Sequence, residues 1–156
     1  MEVETTRFGK IQVEEAAVIR FEAGLIGFRN HREFVLVPHG SSSVIAWLQS
    51  LVAPDLAFPV LSAHGIVAEY PDVPLGPVAE RAGIRGDAED LAVLAVLSAP
   101  PGQPPTVNLL APLLVDSRTR AGAQVFLEGS RFTTQEILAL PLDPKAARAP
   151  AAATAP

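Results

Sequence analysis

Cysteine is absent from the chain. Disulfides, thiolate nucleophiles and Cys-based zinc sites are excluded together, and the composition is compatible with a reducing compartment. Aromatic residues make up only 6% of the chain, with one Trp and one Tyr, so a core must be built mainly from Leu, Val, Ile and Ala. No run approaches the roughly 18 consecutive apolar residues of a membrane-spanning helix. The opening Met1-Glu2-Val3-Glu4 is acidic where a secretory leader has a basic flank and an apolar stretch, so a cytoplasmic location is expected. Basic charge is also scarce. Twelve Lys and Arg against 17 Asp and Glu leave a net charge of −5, which points away from direct nucleic-acid binding and toward a basic protein partner.

What the chain does have is apolar residues, 49% of its 156 positions, and enough length for one core that buries roughly 70% of the unfolded surface. The apolar residues come in short runs. Val3 to Thr6 and Lys10 to Glu14 alternate polar with apolar around Phe8-Gly9, which predicts an antiparallel hairpin with one solvated face. Val18 to Phe21, Phe34 to Val37, Val44 to Leu48 and Ala57 to Leu61 read as strands, with Pro54-Asp55 as the turn between the last two. Thr106 to Leu110, Leu113 to Val115 and Gln124 to Leu127 follow, the last two joined by a turn over Asp116 to Gly122. Leu75, Val78, Ala79 and Ala82 sit at helical spacing. With Pro74 and Pro77 near the start and Gly83 as a stop, they predict one short helix at about residues 74–82. For Leu91 to Leu97, helix propensity and a buried strand fit equally well.

About eight to ten short strands with one helix predict a mainly β fold, a small antiparallel β-barrel or roll in which closure hides the sheet edges. Residues 1–138 are expected to form a single domain, followed by an Ala/Pro-rich tail over 139–156 that is expected to be disordered.

Few residues suggest chemistry. Gly24 and Gly27 mark an irregular corner, and no Gly-Lys-Ser/Thr follows that would make it a phosphate loop. His31, His39 and His64 are scattered without the carboxylate or mutual spacing of a metal site, and Ser41, Ser42 and Ser43 lack any nucleophile-elbow context. No catalytic residue, metal ligand or cofactor site is therefore assigned. Trp47 is expected to anchor the core. Asn108 interrupts an apolar strand and is expected to tie the backbone at the Ala111-Pro112 bend. Gln49, Ser50 and Asp55, at the strand end and its corner, are candidate partner contacts, because loops collect binding residues. Glu69 and Asp72 are two more. They begin an acidic stretch, continued by Glu80, Asp87, Glu89 and Asp90, that would steer a basic partner. A reading of another class is a small flavin-binding or other ligand-binding split β-barrel, with Arg118, Thr119 and Arg120 holding a phosphate.

Four segments, in order, resemble the flagellar assembly factor FliW family: Phe8-Gly9-Lys10-Ile11, Phe21 to Phe28, Trp47 to Phe58 and Thr106 to Pro112, the last extended by Thr119-Arg120, Gly122 and Gln124-Val125. The match runs over about residues 1 to 127, and it selects the strand for Leu91 to Leu97. The resemblance implies a small barrel-like β protein without catalytic activity that binds flagellin and the RNA-binding translational repressor CsrA, relieving repression of flagellin translation. Pro59, the segment Val44-Ile45-Ala46 without an aromatic, and the region Pro71 to Gly83, poorer in acidic residues than is usual in the family, depart from the family pattern and bear on partner affinity more than on fold.

Overall fold

A computed structural model describes residues 1–41 and 44–138. The chain opens with the antiparallel hairpin β1 (Glu2–Thr5) and β2 (Gly9–Gln12), in register Val3↔Ile11. Then come β3 (Ile19–Phe21), β4 (Glu33–Pro38), β5 (Ile45–Ser50), β6 (Ala57–Ser62), helix α1 (Leu75–Arg81) and β7 (Leu91–Ser98). The last strands are β8 (Thr106–Val107), β9 (Leu113–Asp116), β10 (Ala121–Gln124) and β11 (Glu136–Ile137).

Seven strands close into a barrel in the order β3-β4-β5-β6-β7-β9-β10 and back to β3. The mainly β barrel with one helix is the fold expected from sequence. Every ladder is antiparallel except β3 with β10, which runs parallel through Arg20↔Ala121 and Phe21↔Gly122. Gly122 makes that pairing possible: a Cβ there would lie 2.7 Å from the Phe21 ring. The eight residues of β7 serve three partners. Leu91 to Leu94 pair with β9, Leu94 to Val96 with β6, and Leu97 and Ser98 with β8, which carries β11 on its far side.

Alternation places Phe34, Leu36, Leu48, Val60, Leu94 and Leu113 inside the barrel. Their neighbours Val35 and Val37 face outward, yet the β1–β2 hairpin covers them with Val3, Ile11 and Val13. A second outer layer contains Ala79 of α1, Tyr70, Ile84, Leu127 and Phe132, and covers Leu61, Val93, Ala95 and Leu114. Strands covered on both faces read as continuous apolar runs, which is why Phe34 to Val37 and Leu91 to Leu97 show no polar face. The Tyr70 hydroxyl donates to the Leu109 carbonyl at 2.7 Å inside the second layer, and burial, then the charge of Asp72, pushes its ionisation well above the ordinary phenol range.

Three details differ from the sequence reading. β10 covers Ala121–Gln124 rather than Gln124 to Leu127, because its turn closes early: Arg118 and Thr119 N–H donate to the Asp116 carboxylate and Arg120 N–H donates to the Asp116 carbonyl. β8 stops at Val107, since Ala111 N–H donates to Asn108 Oδ1 at 2.9 Å and the chain bends there, the role expected of Asn108. Trp47 is half-buried on the outer face beside Phe8 and Leu51, not in the barrel interior. Residues 42 and 43 of the serine loop and the 139–156 tail lie outside the described residues.

Candidate functional site

The corner between β5 and β6 is built from its inside. Gln49 is fully buried, and its amide nitrogen donates toward the carbonyl oxygens of Ser50 (3.0 Å), Leu56 (3.2 Å), Pro54 (3.3 Å) and Ala53 (3.4 Å). Ser50 is buried too, and its Oγ accepts from the N–H groups of Ala53 (3.0 Å) and Val52 (3.2 Å). The expectation that these two side chains sit exposed at the corner is corrected: both are consumed in holding the turn. Asp55 is exposed at the tip, next to Val52, which is 65% exposed.

The hairpin tip joins this corner. Thr6 N–H donates to the Pro54 carbonyl at 2.8 Å. The Arg7 guanidinium stacks 3.9 Å from the Trp47 ring centroid, Phe8 meets the same ring edge-on, and the indole N–H donates to His39 Nδ1 at 2.9 Å. That bond requires His39 to carry its own proton on Nε2. The Thr6–Pro54 bond thereby sets the Arg7–Trp47 stack beside the turn that carries exposed Val52 and Asp55.

Glu69 and Asp72 do not join it: no hydrogen bond or ion pair among the described residues links them to the corner. Asp72 accepts from the Ser130 hydroxyl (2.6 Å) and from Arg131 N–H (2.8 Å), with the Arg131 guanidinium at 3.9 Å. These bonds, the Ser130 hydroxyl first, hold its carboxyl below the usual range. Asp72 thus fastens its loop to the turn at Ser130. Glu69, Glu80, Asp87 and Glu89 are exposed, interleaved with exposed Arg81 and Arg85. Of the anion-binding alternative, Thr119 Oγ1 accepts from Ala121 N–H within the turn, and the buried Arg120 donates inward to the Ala17 carbonyl at 2.9 Å, tying the turn to the segment before β3. No group of three or more His, Asp or Glu among the described residues is arranged to hold a metal ion.

The feature that sequence reasoning missed is an apolar groove of about 530 Å³ lined by Leu25, Ile26, Phe58, Val96, Leu113 and Phe126, with Asn108 and Gln124 among its polar groups. It opens where the barrel wall parts. The β6–β7 ladder begins only at Val60, just past Pro59, which has no N–H to offer, and beyond Val96 strand β7 turns to β8. Gln124 holds the two lips, accepting from Ile26 N–H at 2.8 Å and donating to the Ala111 carbonyl at 3.0 Å. Gly24 sets the first lip, since at φ +69° any Cβ would collide with the Arg29 carbonyl at 2.5 Å. Ile26 and Phe126 stand on the lips, 64% and 57% exposed. The alternation Val125, Phe126, Leu127 carried the signal: its outer members are buried, so the middle one points outward.

Comparison with known proteins agrees with this architecture. A family model described as FliW protein matches residues 2–138. The flagellar assembly factor FliW of Syntrophotalea carbinolica is 36% identical over 133 residues, covering 85% of this chain and 94% of the relative. That of Geobacter sulfurreducens is 36% identical over 138 residues, covering 86% and 84%. A crystal structure of the flagellar assembly factor FliW superposes with a TM-score of 0.78 at 27% identity, covering 90% of this chain and 98% of the other. With a family match along nearly all of the described residues and the same closed barrel, the chain belongs to the FliW family.

Proposed function

We propose that the protein is a non-enzymatic, cytoplasmic regulator of flagellum assembly that binds the translational repressor CsrA, relieving repression of flagellin translation, and that also binds flagellin. The observation that carries the reading is the match to relatives named flagellar assembly factors along the whole folded part of the chain. The structure adds supporting features. Two surfaces present groups that protein interfaces use: the corner, where Arg7 stacks on Trp47 beside the turn carrying exposed Asp55, and the groove, whose described lining is aromatic, aliphatic and uncharged polar.

The test is calorimetry of the purified chain against flagellin and CsrA of the same organism. Saturable binding of both is expected, and failure to bind either overturns the proposal. Asp55→Lys, at an exposed tip whose side chain makes no bond among the described residues, is expected to weaken binding of one partner while leaving the melting temperature in place. Unchanged affinity for both partners removes the corner from the interface.

A further inference from the structure

A cation at the β5–β6 corner is not used up by the fold. Arg7 is exposed at the tip of the β1–β2 hairpin, with its guanidinium stacked 3.9 Å from the centroid of the Trp47 ring. Stacking uses the flat face of a guanidinium and leaves the N–H groups along its edge available. Those groups make no hydrogen bond or ion pair among the described residues, and Asp55 on the adjoining turn is not paired with them. The platform under Arg7 is fixed from three sides. Thr5 Oγ1 accepts from Phe8 N–H at 2.9 Å and donates to the Gly9 carbonyl at 2.7 Å, which closes the tip. Thr6 N–H donates to the Pro54 carbonyl at 2.8 Å, and the Trp47 indole N–H donates to His39 Nδ1 at 2.9 Å. Phe8, Trp47 and Leu51 are each half-buried and pack on the same cluster, so apolar surface remains open beside the stacked cation.

We infer that Arg7 is a carboxylate-recognition point: it pairs with an Asp or Glu side chain of a partner protein, while an apolar residue next to that acid packs on Trp47, Phe8 or Leu51. The planar fork of a guanidinium matches a carboxylate with two parallel hydrogen bonds. Held flat on Trp47, Arg7 gives up less side-chain freedom on pairing than a loose surface arginine does. Trp and Arg are also the residues on which interface energies concentrate, and the half-buried apolar side chains around them keep water from the pair. The net charge of −5 selects the source of the oxyanion. It opposes a phosphate backbone, which brings a charge with every nucleotide, whereas a single carboxylate meets Arg7 at short range. The inference rests on the proposed function for the identity of the partner and gives the corner its chemistry.

Trp47 is the sole tryptophan, so its fluorescence reports on the site directly. The test titrates the full chain, up to millimolar concentrations, with acetyl-LDVDL-amide, its uncharged isostere acetyl-LNVNL-amide and single-stranded oligothymidylate. The acidic peptide is expected to give a saturable change in Trp47 emission. The isostere is expected to bind about tenfold more weakly at low salt, the gap narrowing at high salt as the charges are screened. Arg7→Gln is expected to close the gap between the two peptides. Arg7→Lys keeps the charge without the flat fork and is expected to restore only part of it. Arg7 is exposed, and unchanged melting temperatures confirm that both variants fold. Equal affinity of the parent for the two peptides, no saturable change with either, or a gap that survives Arg7→Gln overturns the inference. So does a response to oligothymidylate that Arg7→Gln abolishes, because the occupant is then a phosphate backbone. The two readings fail separately: if flagellin and CsrA bind and Arg7→Gln changes neither affinity, the carboxylate inference falls and the proposed function stands. If the peptides are told apart through Arg7 and neither protein binds, the reverse holds.

Discussion

Gln49 offers the sharpest test of whether the β5–β6 corner is held from within. Its two amide hydrogens face four carbonyl oxygens at 3.0 to 3.4 Å in a site closed to water. Gln49→Met keeps an unbranched side chain of similar length and removes the donor. Two net hydrogen bonds are lost, a cost of about 1–3 kcal/mol. The carbonyls of Leu56, Ala53 and Pro54 keep their backbone donors, and the buried Gln49 Oε1, which has no partner among the described residues, goes with the amide, so the loss falls toward the lower end. For a chain of this length that lowers the melting temperature by roughly 3–10 °C. Gln49→Glu is worse near neutral pH, because a carboxylate is then buried against carbonyl oxygens with no cation beside it, costing about 3–5 kcal/mol. The sign of its pH dependence follows. Burial raises the folded-state pKa of the introduced carboxyl above the roughly 4.3 of the unfolded chain. The penalty is therefore full at alkaline and neutral pH and shrinks as pH falls through the raised value, where the protonated acid can again donate to a carbonyl. Circular-dichroism melts of both variants and the parent at pH 8 and pH 5 provide the measurement. A Gln49→Met variant that melts within a degree of the parent refutes the account, as does a Gln49→Glu deficit that fails to narrow on acidification.

Three further outcomes are expected. Tyr70→Phe leaves the Leu109 carbonyl without its donor and costs about 1–2 kcal/mol in urea unfolding, and in the parent the sole tyrosine shows no phenolate absorbance near pH 10 until the chain is unfolded. Because its folded-state pKa is raised, stability falls as pH rises past the unfolded phenol's value. Gly122→Ala forces a Cβ into the buried Phe21 ring, costs about 1–3 kcal/mol by overpacking, and is partly rescued by Phe21→Leu; additive losses in that cycle contradict the contact. Asp72→Asn removes a carboxyl whose pKa is depressed, so its deficit relative to the parent is present above the ordinary Asp value and vanishes as pH falls through the folded value; a urea-midpoint profile between pH 3 and 7 that stays parallel contradicts the Ser130 and Arg131 bonds.

The parts of the fold that were legible in the sequence are those set by local chemistry. The β1–β2 hairpin follows from alternation around Phe8-Gly9, α1 from proline at its start and glycine after its end, and the Asn108 bend from a lone amide in an apolar run. What resisted reading depends on contacts far apart in the chain. Gln49 looks like a surface residue at a strand end, but the Thr6–Pro54 bond brings the hairpin tip against its corner from more than forty residues away. Trp47 looks like core because its strand is apolar, yet it lies on the outer face, where Arg7 rather than the barrel covers its ring. The groove is the extreme case. Its lining comes from six separate segments, and its hydrophobic lips are indistinguishable in sequence from residues destined for the interior.

The corner patch and the groove are distinct surfaces, but the structure does not make them mechanically independent. Asp55 at the corner tip and Phe58 in the groove floor are three residues apart, and Leu56 between them is held by Gln49 through its carbonyl. Phe58 packs edge-on against Phe28 at 5.2 Å between centroids and tilted against Phe34 at 6.4 Å, and Phe28 in turn pairs with Leu25, whose neighbour Ile26 is the groove lip. A contiguous path of packed side chains therefore runs from the corner to the lip. Such a path transmits coupling only if some element along it has two arrangements that ligands at the two ends favour unequally. Gln49 opposes that: with its donors facing four carbonyls and the backbone of the turn bound to Ser50, the corner is fixed before any partner arrives. The first lip is held as well: besides the Ile26–Gln124 bond, Leu25 and Phe28 exchange backbone hydrogen bonds at 3.2 and 2.8 Å, and Gly24 N–H donates to the Phe21 carbonyl at 2.8 Å. Both ends of the path are therefore pinned by their own hydrogen bonds, and a partner at the corner and one at the groove are expected to bind independently of each other.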